Sequence, residues 1–268
     1  FGDTQSPDLA GLADFDKILT SIESQAKKPD FSIHVGDFTD DAGQFGQMDA
    51  ITGLLSGHTI FDSSDMIHVL GNHEYMGDDG SKAAAIFGNP QNGPSVNPAG
   101  CSSMDYGNMH IAVIGWTDDP TIMQNELDWL RKDMNASNKL WKVVSTHQPV
   151  YNTNPDDSTM FKPMLAPVVD ELGIDLVFSG HDHAYGRTKQ LKGGIETAGG
   201  TTYIVTGTTG PKHYGAVNDG NFAVMNDGNS AMYVTADVYG GKMSITAKQA
   251  DETIVDQFTL IKDIDPPV

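Results

Sequence analysis

The sequence predicts an α/β sandwich of two mixed sheets flanked by helices, on three observations. Five short apolar runs each close on a polar residue, in most cases after a small one, as buried strands bounded by turns do. Helical periodicities lie between most of them. The last third then changes to short strands joined by Gly-rich turns.

Taken in order, Phe1-Gly2-Asp3 is a strand end. Leu9 to Lys28 follows as a helix, with Leu12, Phe15, Ile18, Leu19 and Ile22 at core-facing spacing. Ile33-His34-Val35-Gly36-Asp37 and the run from Ile67 to Asn72 are the next two strands. A helix from Gln124 to Ala136 leads into a strand from Val143 to His147. Phe161 to Leu172 is again helical, with a kink or late start expected from Pro163 and Pro167, before a strand from Leu176 to His181. Strand and helix in alternation imply parallel β-α-β units whose strand C-termini share one edge, the edge where open α/β sheets bind ligands. Thr202–Thr206, Met232–Val238, Met243–Gln249 and Ile254–Leu260 are expected to form a second, more antiparallel sheet, with Tyr239-Gly240-Gly241-Lys242 as a hairpin turn. No linker or composition break divides residues 1–268, so one domain is expected.

Acidic residues outnumber basic ones by 36 to 16, a formal charge of −20 over 268 residues. Such a field repels duplex nucleic acid and anionic membrane surfaces, and an anionic substrate would need local positive charge such as metal ions supply. No apolar run reaches the roughly 20 residues of a membrane-spanning helix. Cys101 is the single cysteine, so no internal disulfide forms. The chain opens at Phe1 within a strand end, and an upstream segment is expected to have been removed or left out. No oligomeric state follows from the sequence.

The polar residues closing the runs are Asp3, Asp37, Asn72, His147, His181 and, two beyond, His183. Carboxylate, amide and imidazole donors suit borderline to hard cations such as Zn, Mn and Fe. Six donors exceed one four-coordinate zinc site but suit two ions sharing a bridging carboxylate. In extended backbone, His181 and His183 project to one side. Each residue alone has a plainer reading: Asp37 and Asn72 as caps after a strand, His147 as a hydrogen-bonded structural group. Their joint occurrence in order favours the metal site.

Gly36-Asp37 with Asp40, Gly71-Asn72-His73-Glu74, Thr146-His147-Gln148-Pro149 and Gly180-His181-Asp182-His183 stand in the order of the calcineurin-like metallophosphoesterases, which this chain resembles from Asp3 to about Arg187. The stretch from Gly180 to Thr188 looks most like the purple acid phosphatase branch. The resemblance implies the metallo-dependent phosphatase form of the α/β/β/α sandwich and a metal-dependent phosphoesterase. Asp37 would bridge two metal ions. Asn72, His147 and His181 would complete one site, with Asp3 and His183 on the other. A metal-bound hydroxide would attack a small phosphorylated substrate, with monoesters expected. Catalytic roles fall to His73, which would protonate the leaving group or stabilise the transition state, and to Asp40 as its hydrogen-bond partner. A phosphodiesterase or nucleotidase with the same centre is the alternative, and a binding module on this fold a further one. The branch and the Asn-, Asp-, Thr- and Gly-rich composition suit an extracellular or cell-surface protein.

The chain departs from the branch in three places. Asp40 stands where purple acid phosphatases carry the iron-binding tyrosine, so no purple colour is expected. Gln5 replaces a common histidine in the first motif and would offer an amide oxygen or leave a position for water. The stretch Asn152 to Asp157 lacks the histidines often found there. Arg187 and Lys212 could offset charge on a bound phosphate, with Arg187 equally able to brace the His183 loop. His213 lies in a loop that could face the metals. Glu74 is expected to support the ligands. His34, His68 and His110 are assigned to packing, His58 to a solvated turn, Cys101 to no role, and Trp116, Trp129 and Trp141 to anchoring.

Overall fold

The computed structural model describes residues 1–44, 46–63, 65–154, 160–227 and 230–263. In chain order its elements begin with α1 (Ala13–Ser24), β1 (Phe31–His34), α2 (Gln47–Leu55), α3 (Ile60–Ser63), β2 (Asp65–His68) and α4 (Ser81–Phe87). Next come β3 (Ser102–Tyr106), β4 (Met109–Ile114), α5 (Pro120–Ala136), β5 (Trp141–Thr146), α6 (Phe161–Leu172) and β6 (Leu176–Ser179). The remainder is β7 (Tyr185–Thr188), β8 (Leu191–Lys192), β9 (Ile195–Glu196), β10 (Thr202–Thr206), β11 (Phe222–Asn226), β12 (Met232–Tyr239), β13 (Lys242–Gln249) and β14 (Ile254–Ile261).

One sheet has seven strands in the order β11-β7-β10-β6-β5-β4-β3, with β4, β5, β6 and β10 parallel. The facing layer joins parallel β1 and β2 to the antiparallel meander β12-β13-β14. Residues 1–3 and 207–209 connect them: Val35 N–H donates to Phe1 O, Thr209 N–H to Gly2 O, and Met232 N–H to Thr208 O.

Neighbouring residues on one strand serve different layers. Val143 and Leu176 pack inward against Met243 and Ile245, whereas Val144 and Val177 pack outward against Leu127 of α5 and Leu165 of α6. Burial on both faces is why these strands read as continuous apolar runs. Phe15, Ile18 and Leu19 of α1 and Ile51 of α2 cover the other outer face. Each such fully buried side chain contributes on the order of 1.5–3 kcal/mol, and the result is the four-layer α/β/β/α sandwich.

Local differences have physical reasons. The first helix begins as a 3-10 turn over Leu9–Leu12, capped by the Asp8 carboxylate, and stops at Ser24 rather than Lys28. The second starts earlier than expected, at Pro120, because Asp119 caps the N–H groups of Thr121 and Ile122. α6 shows no late start: Pro163 sits in its first turn, where the missing N–H has no intrahelical partner, and the helix continues past Pro167. Thr202–Thr206 joins the seven-stranded sheet, parallel to β6, rather than the second sheet. The hairpin at Gly240-Gly241 forms as expected, with Gly240 at φ 55°.

Candidate metal centre

Five segments deliver polar side chains to one sheet edge. Asp3 and Gln5 follow the N-terminal stretch, Asp37 and Asp40 follow β1, Asn72 to Glu74 follow β2, His147 follows β5, and His181 to His183 follow β6. The backbone there is strained. Asp3, Gln5, Asp37, His181 and His183 have φ of 54°, 32°, 56°, 70° and 53°, leaving Glu252 as the other described non-glycine residue with positive φ. The left-handed conformation costs an L-residue roughly 1–2 kcal/mol, and strain of this kind gathers at functional sites. Gly71 is required by a close approach: a Cβ there would lie 2.2 Å from Asp37 Oδ1.

His147 Nε2 is 3.1 Å from both Asp37 Oδ2 and Asn72 Oδ1, and 3.2 Å from His181 Nδ1. His183 Nε2 is 3.6 Å from Asp3 Oδ1. Donor atoms of Asp37, His147 and His181 fall within 4.8 Å of one another, as do those of Asp3, Asp37 and His183. Asp37 belongs to both groups. His147 and His183 direct Nδ1 to the carbonyls of Val35 and Lys212, at 2.8 and 2.9 Å, which leaves Nε2 for an ion.

Two buried carboxylates fasten these segments. Glu74 accepts from the N–H groups of Asp37, Phe38 and Gly71 at 2.7–2.8 Å, tying the turn after β1 to the turn after β2. Asp182 accepts from Thr153 and Asn154 N–H and from Asn152 Nδ2. The role of Asp182 escaped the sequence reading, which took His181 to His183 as extended; His181 and His183 instead have positive φ, and the Asp182 carboxylate turns to residues 152–154.

Burial raises the Asp37 carboxyl, but His147 and His73 outweigh it and hold the group well below the usual range. Burial lowers the His147 imidazole, yet Asp37 and Asp3 carry it up to about 10. Burial pushes Asp3 well above its ordinary value and Glu74 up to about 7, and lowers His183 to about 4. A carboxyl held charged and another pressed toward neutrality in one cluster mark a place where positive charge is wanted.

The cluster fits a cation on further grounds. Asp3 Oδ2 and Gln5 Oε1 are buried with no hydrogen-bond partner among the described residues. An unmet buried polar atom costs about 1–3 kcal/mol, which coordination would relieve. Gln5 Nε2 meanwhile donates to Asp37 Oδ2 at 2.6 Å. A cavity of about 490 Å³ lies elsewhere, near the starts of β1 and β4.

Several expectations are corrected. The Asp40 carboxylate does not bond His73; His73 Nδ1 donates to the Asp40 backbone carbonyl, and the carboxylate pairs with Lys212 Nζ. Arg187 is absent from the cluster, because β7 directs it to Asp256 at 2.6 and 3.2 Å and onto the Phe258 ring. It braces β7 against β14 instead of the His183 loop. His58 is not solvated; it is buried between Asp16 and Glu23. His110 does more than pack, bonding Asp105 at 2.7 Å and Asp133 at 2.8 Å.

His34 and His68 pack on Phe38 as expected. Cys101 is buried. Trp141 is a core residue, Trp129 bonds Asn92 O, and Trp116 lies against Tyr75. His213 is partly buried in the loop that holds His183. Of the histidine-free stretch, Pro155, Asp156 and Asp157 lie outside the described residues.

A family profile, calcineurin-like phosphoesterase, matches residues 1–185. Purple acid phosphatase 18 of Arabidopsis thaliana is 30% identical over 114 residues, 40% of this chain and 26% of that protein. Purple acid phosphatase 15 of the same plant is 28% identical over 132 residues, 45% of this chain and 25% of that protein. The purple acid phosphatase PPD1 of yellow lupin (Lupinus luteus) seeds superposes with a TM-score of 0.81 at 18% identity, covering 98% of this chain and 53% of that one. The matched stretches thus span about a quarter of the two curated relatives, and the chain about half of the lupin structure. GAP50, titled the anchor in the inner membrane complex of Plasmodium, shares the fold at a TM-score of 0.62 and 11% identity, over 98% of this chain and 88% of that one. With the profile covering 185 of 268 residues and the strand-end cluster in place, the chain belongs to the calcineurin-like phosphoesterase family.

Proposed function

We propose that this chain hydrolyses phosphate esters, monoesters foremost, at a centre of two metal ions. One observation carries the reading: two groups of ligand atoms, each within 4.8 Å, share the Asp37 carboxylate. Asp37, Asn72, His147 and His181 would hold one ion, and Asp3, Asp37 and His183 the other, with the unpartnered Gln5 Oε1 beside them. Fe, Zn and Mn suit these donors. When bound, the ions supply Lewis-acid polarisation of the ester and acidify water.

The chain's own groups do the rest. Glu74 holds the turns of Asp37 and Asn72 in register, and Asp182 holds the His181–His183 turn against residues 152–154. His73 anchors Nδ1 on the Asp40 carbonyl and lies with Nε2 3.8 Å from Asp37 Oδ2. Nε2 is therefore the atom that would deliver a proton to the leaving oxygen. The acidic composition suits an exported protein, and no helix among the described residues is long and apolar enough to cross a membrane.

Turnover of p-nitrophenyl phosphate and of its bis-ester, after chelation and reloading with Mn, Zn or Fe, tests the proposal. Metal-dependent cleavage is expected, faster for the monoester. Faster diester cleavage would replace monoesterase by diesterase. No cleavage and no bound metal would leave a binding module on this fold.

A further inference from the structure

The loop following β10 reaches the centre, and one of its side chains has no part in the mechanism above. Its base is fixed on the ligand segment: Thr208 Oγ1 donates to Asp3 O at 2.7 Å, and Thr209 N–H to Gly2 O at 2.9 Å. Gly210 permits this contact, since a Cβ there would lie 1.9 Å from Thr4 O. The tip then crosses the site. Lys212 O accepts from His183 Nδ1, and the Tyr214 ring stacks on the His183 imidazole at 4.4 Å and 26°. From the same residue, Lys212 Nζ reaches Asp40, whose carbonyl holds His73. Lys212 therefore links the Asp3–His183 side of the cluster to the His73 side.

Arg187, the other cation considered for this task, is bound to Asp256. Lys212 and Asp40 are each about one-third exposed, at 36% of their side-chain surface, so their pair is open to exchange with a stronger anion. A phosphate dianion presents more charge and more acceptor oxygens than a single carboxylate.

Resting on the phosphoesterase reading, we propose that Lys212 binds the substrate phosphate, with Asp40 as the resident anion that the phosphate displaces. The side chain is a substrate-binding group, separate from the carbonyl of the same residue that positions His183. In a chain of charge −20, it gives the mouth a local cation that attracts dianionic monoesters more strongly than monoanionic diesters.

The test uses the metal-loaded chain with two readouts: binding of inorganic phosphate by calorimetry, and KM for p-nitrophenyl phosphate and its bis-ester. Lys212→Met should weaken phosphate binding and raise the monoester KM roughly 10-fold or more, as loss of a charge-assisted hydrogen bond does. Its effect on the diester should be smaller, and Lys212→Arg should largely restore the monoester. Asp40→Asn should act in the opposite sense, tightening phosphate binding, because Lys212 loses its competitor while the Asp40 backbone carbonyl still holds His73. If the pair merely fastens the loop, Lys212→Met and Asp40→Asn will weaken binding alike. That result, or an unchanged Lys212→Met, overturns the proposal. Absence of cleavage by the unaltered chain would instead sink the hydrolase reading, while the calorimetric comparison would still decide the role of Lys212.

Discussion

Raising the pH is expected to weaken this fold through Glu126, and Glu126→Gln is expected to remove that effect. The side chain is fully buried on α5, where Asn97 Nδ2 donates to Oε1 at 2.7 Å and Oε2 has no hydrogen-bond partner among the described residues. Burial pushes the carboxyl from 4.5 up to about 7, only partly offset by the Asn97 hydrogen bond and the neighbouring Cys101 thiol. Between those values the folded chain holds one more proton than the unfolded chain. Its stability is therefore full below pH 4.5 and declines as pH rises through 7. At 1.36 kcal/mol per unit, a difference of roughly two and a half units amounts to about 3 kcal/mol. Glutamine keeps the acceptor for Asn97 and cannot ionise. Urea unfolding of the chelated protein should show the two forms differing by less than about 1 kcal/mol at pH 5. By pH 8 the variant should be more stable by about 3 kcal/mol. An offset that stays the same at both pH values would refute the reasoning, because it would mean that Glu126 does not change its proton occupancy on folding.

Asp37→Asn removes the carboxylate common to both ligand groups. Bound metal per chain should fall relative to the unaltered chain by mass spectrometry, and turnover should drop at least about a hundredfold; unchanged metal content and turnover would contradict the shared-ligand arrangement. Gly71→Ala should drive a methyl into Asp37 Oδ1 at 2.2 Å and its N–H at 2.7 Å. Metal content should decline with a loss of about 1–3 kcal/mol of stability, read together by metal analysis and denaturation. His73→Asn should lower kcat about a hundredfold for alkyl phosphates and much less for p-nitrophenyl phosphate, whose leaving group needs no proton. An equal loss on both substrates would show that His73 is not the acid.

Two kinds of strand were legible in the sequence: runs buried on both faces, and the half-exposed meander strands bounded by Gly-rich turns. β5 and β6 read as unbroken apolar runs because Val143 and Val144, or Leu176 and Val177, serve different layers. β7, in contrast, carries Gly186 and Arg187, and its pairing is decided by distant β10 and β11. β10 resembles the meander strands locally, and only its long-range pairing with β6 shows which sheet it enters. Within the site, the six ligand candidates were readable from their places at run ends. The partner of Asp40 was not, because Lys212 lies 172 positions away and sequence spacing does not reveal such a contact. Arg187 illustrates the converse. Its proximity to His183 in sequence suggested the site, but strand alternation turns it between the sheets.

The ligand cluster also has a history in time. Asp3 meets the His181 N–H across 178 residues, and the loop carrying Lys212 closes over His183 later still. Asp3, Asp37 and Asn72 stand well before His147, His181 and His183 in the chain, so neither ligand group is complete until the histidines that follow β5 and β6 join them. The proposed centre therefore depends on docking of segments distant in sequence rather than on any one local motif.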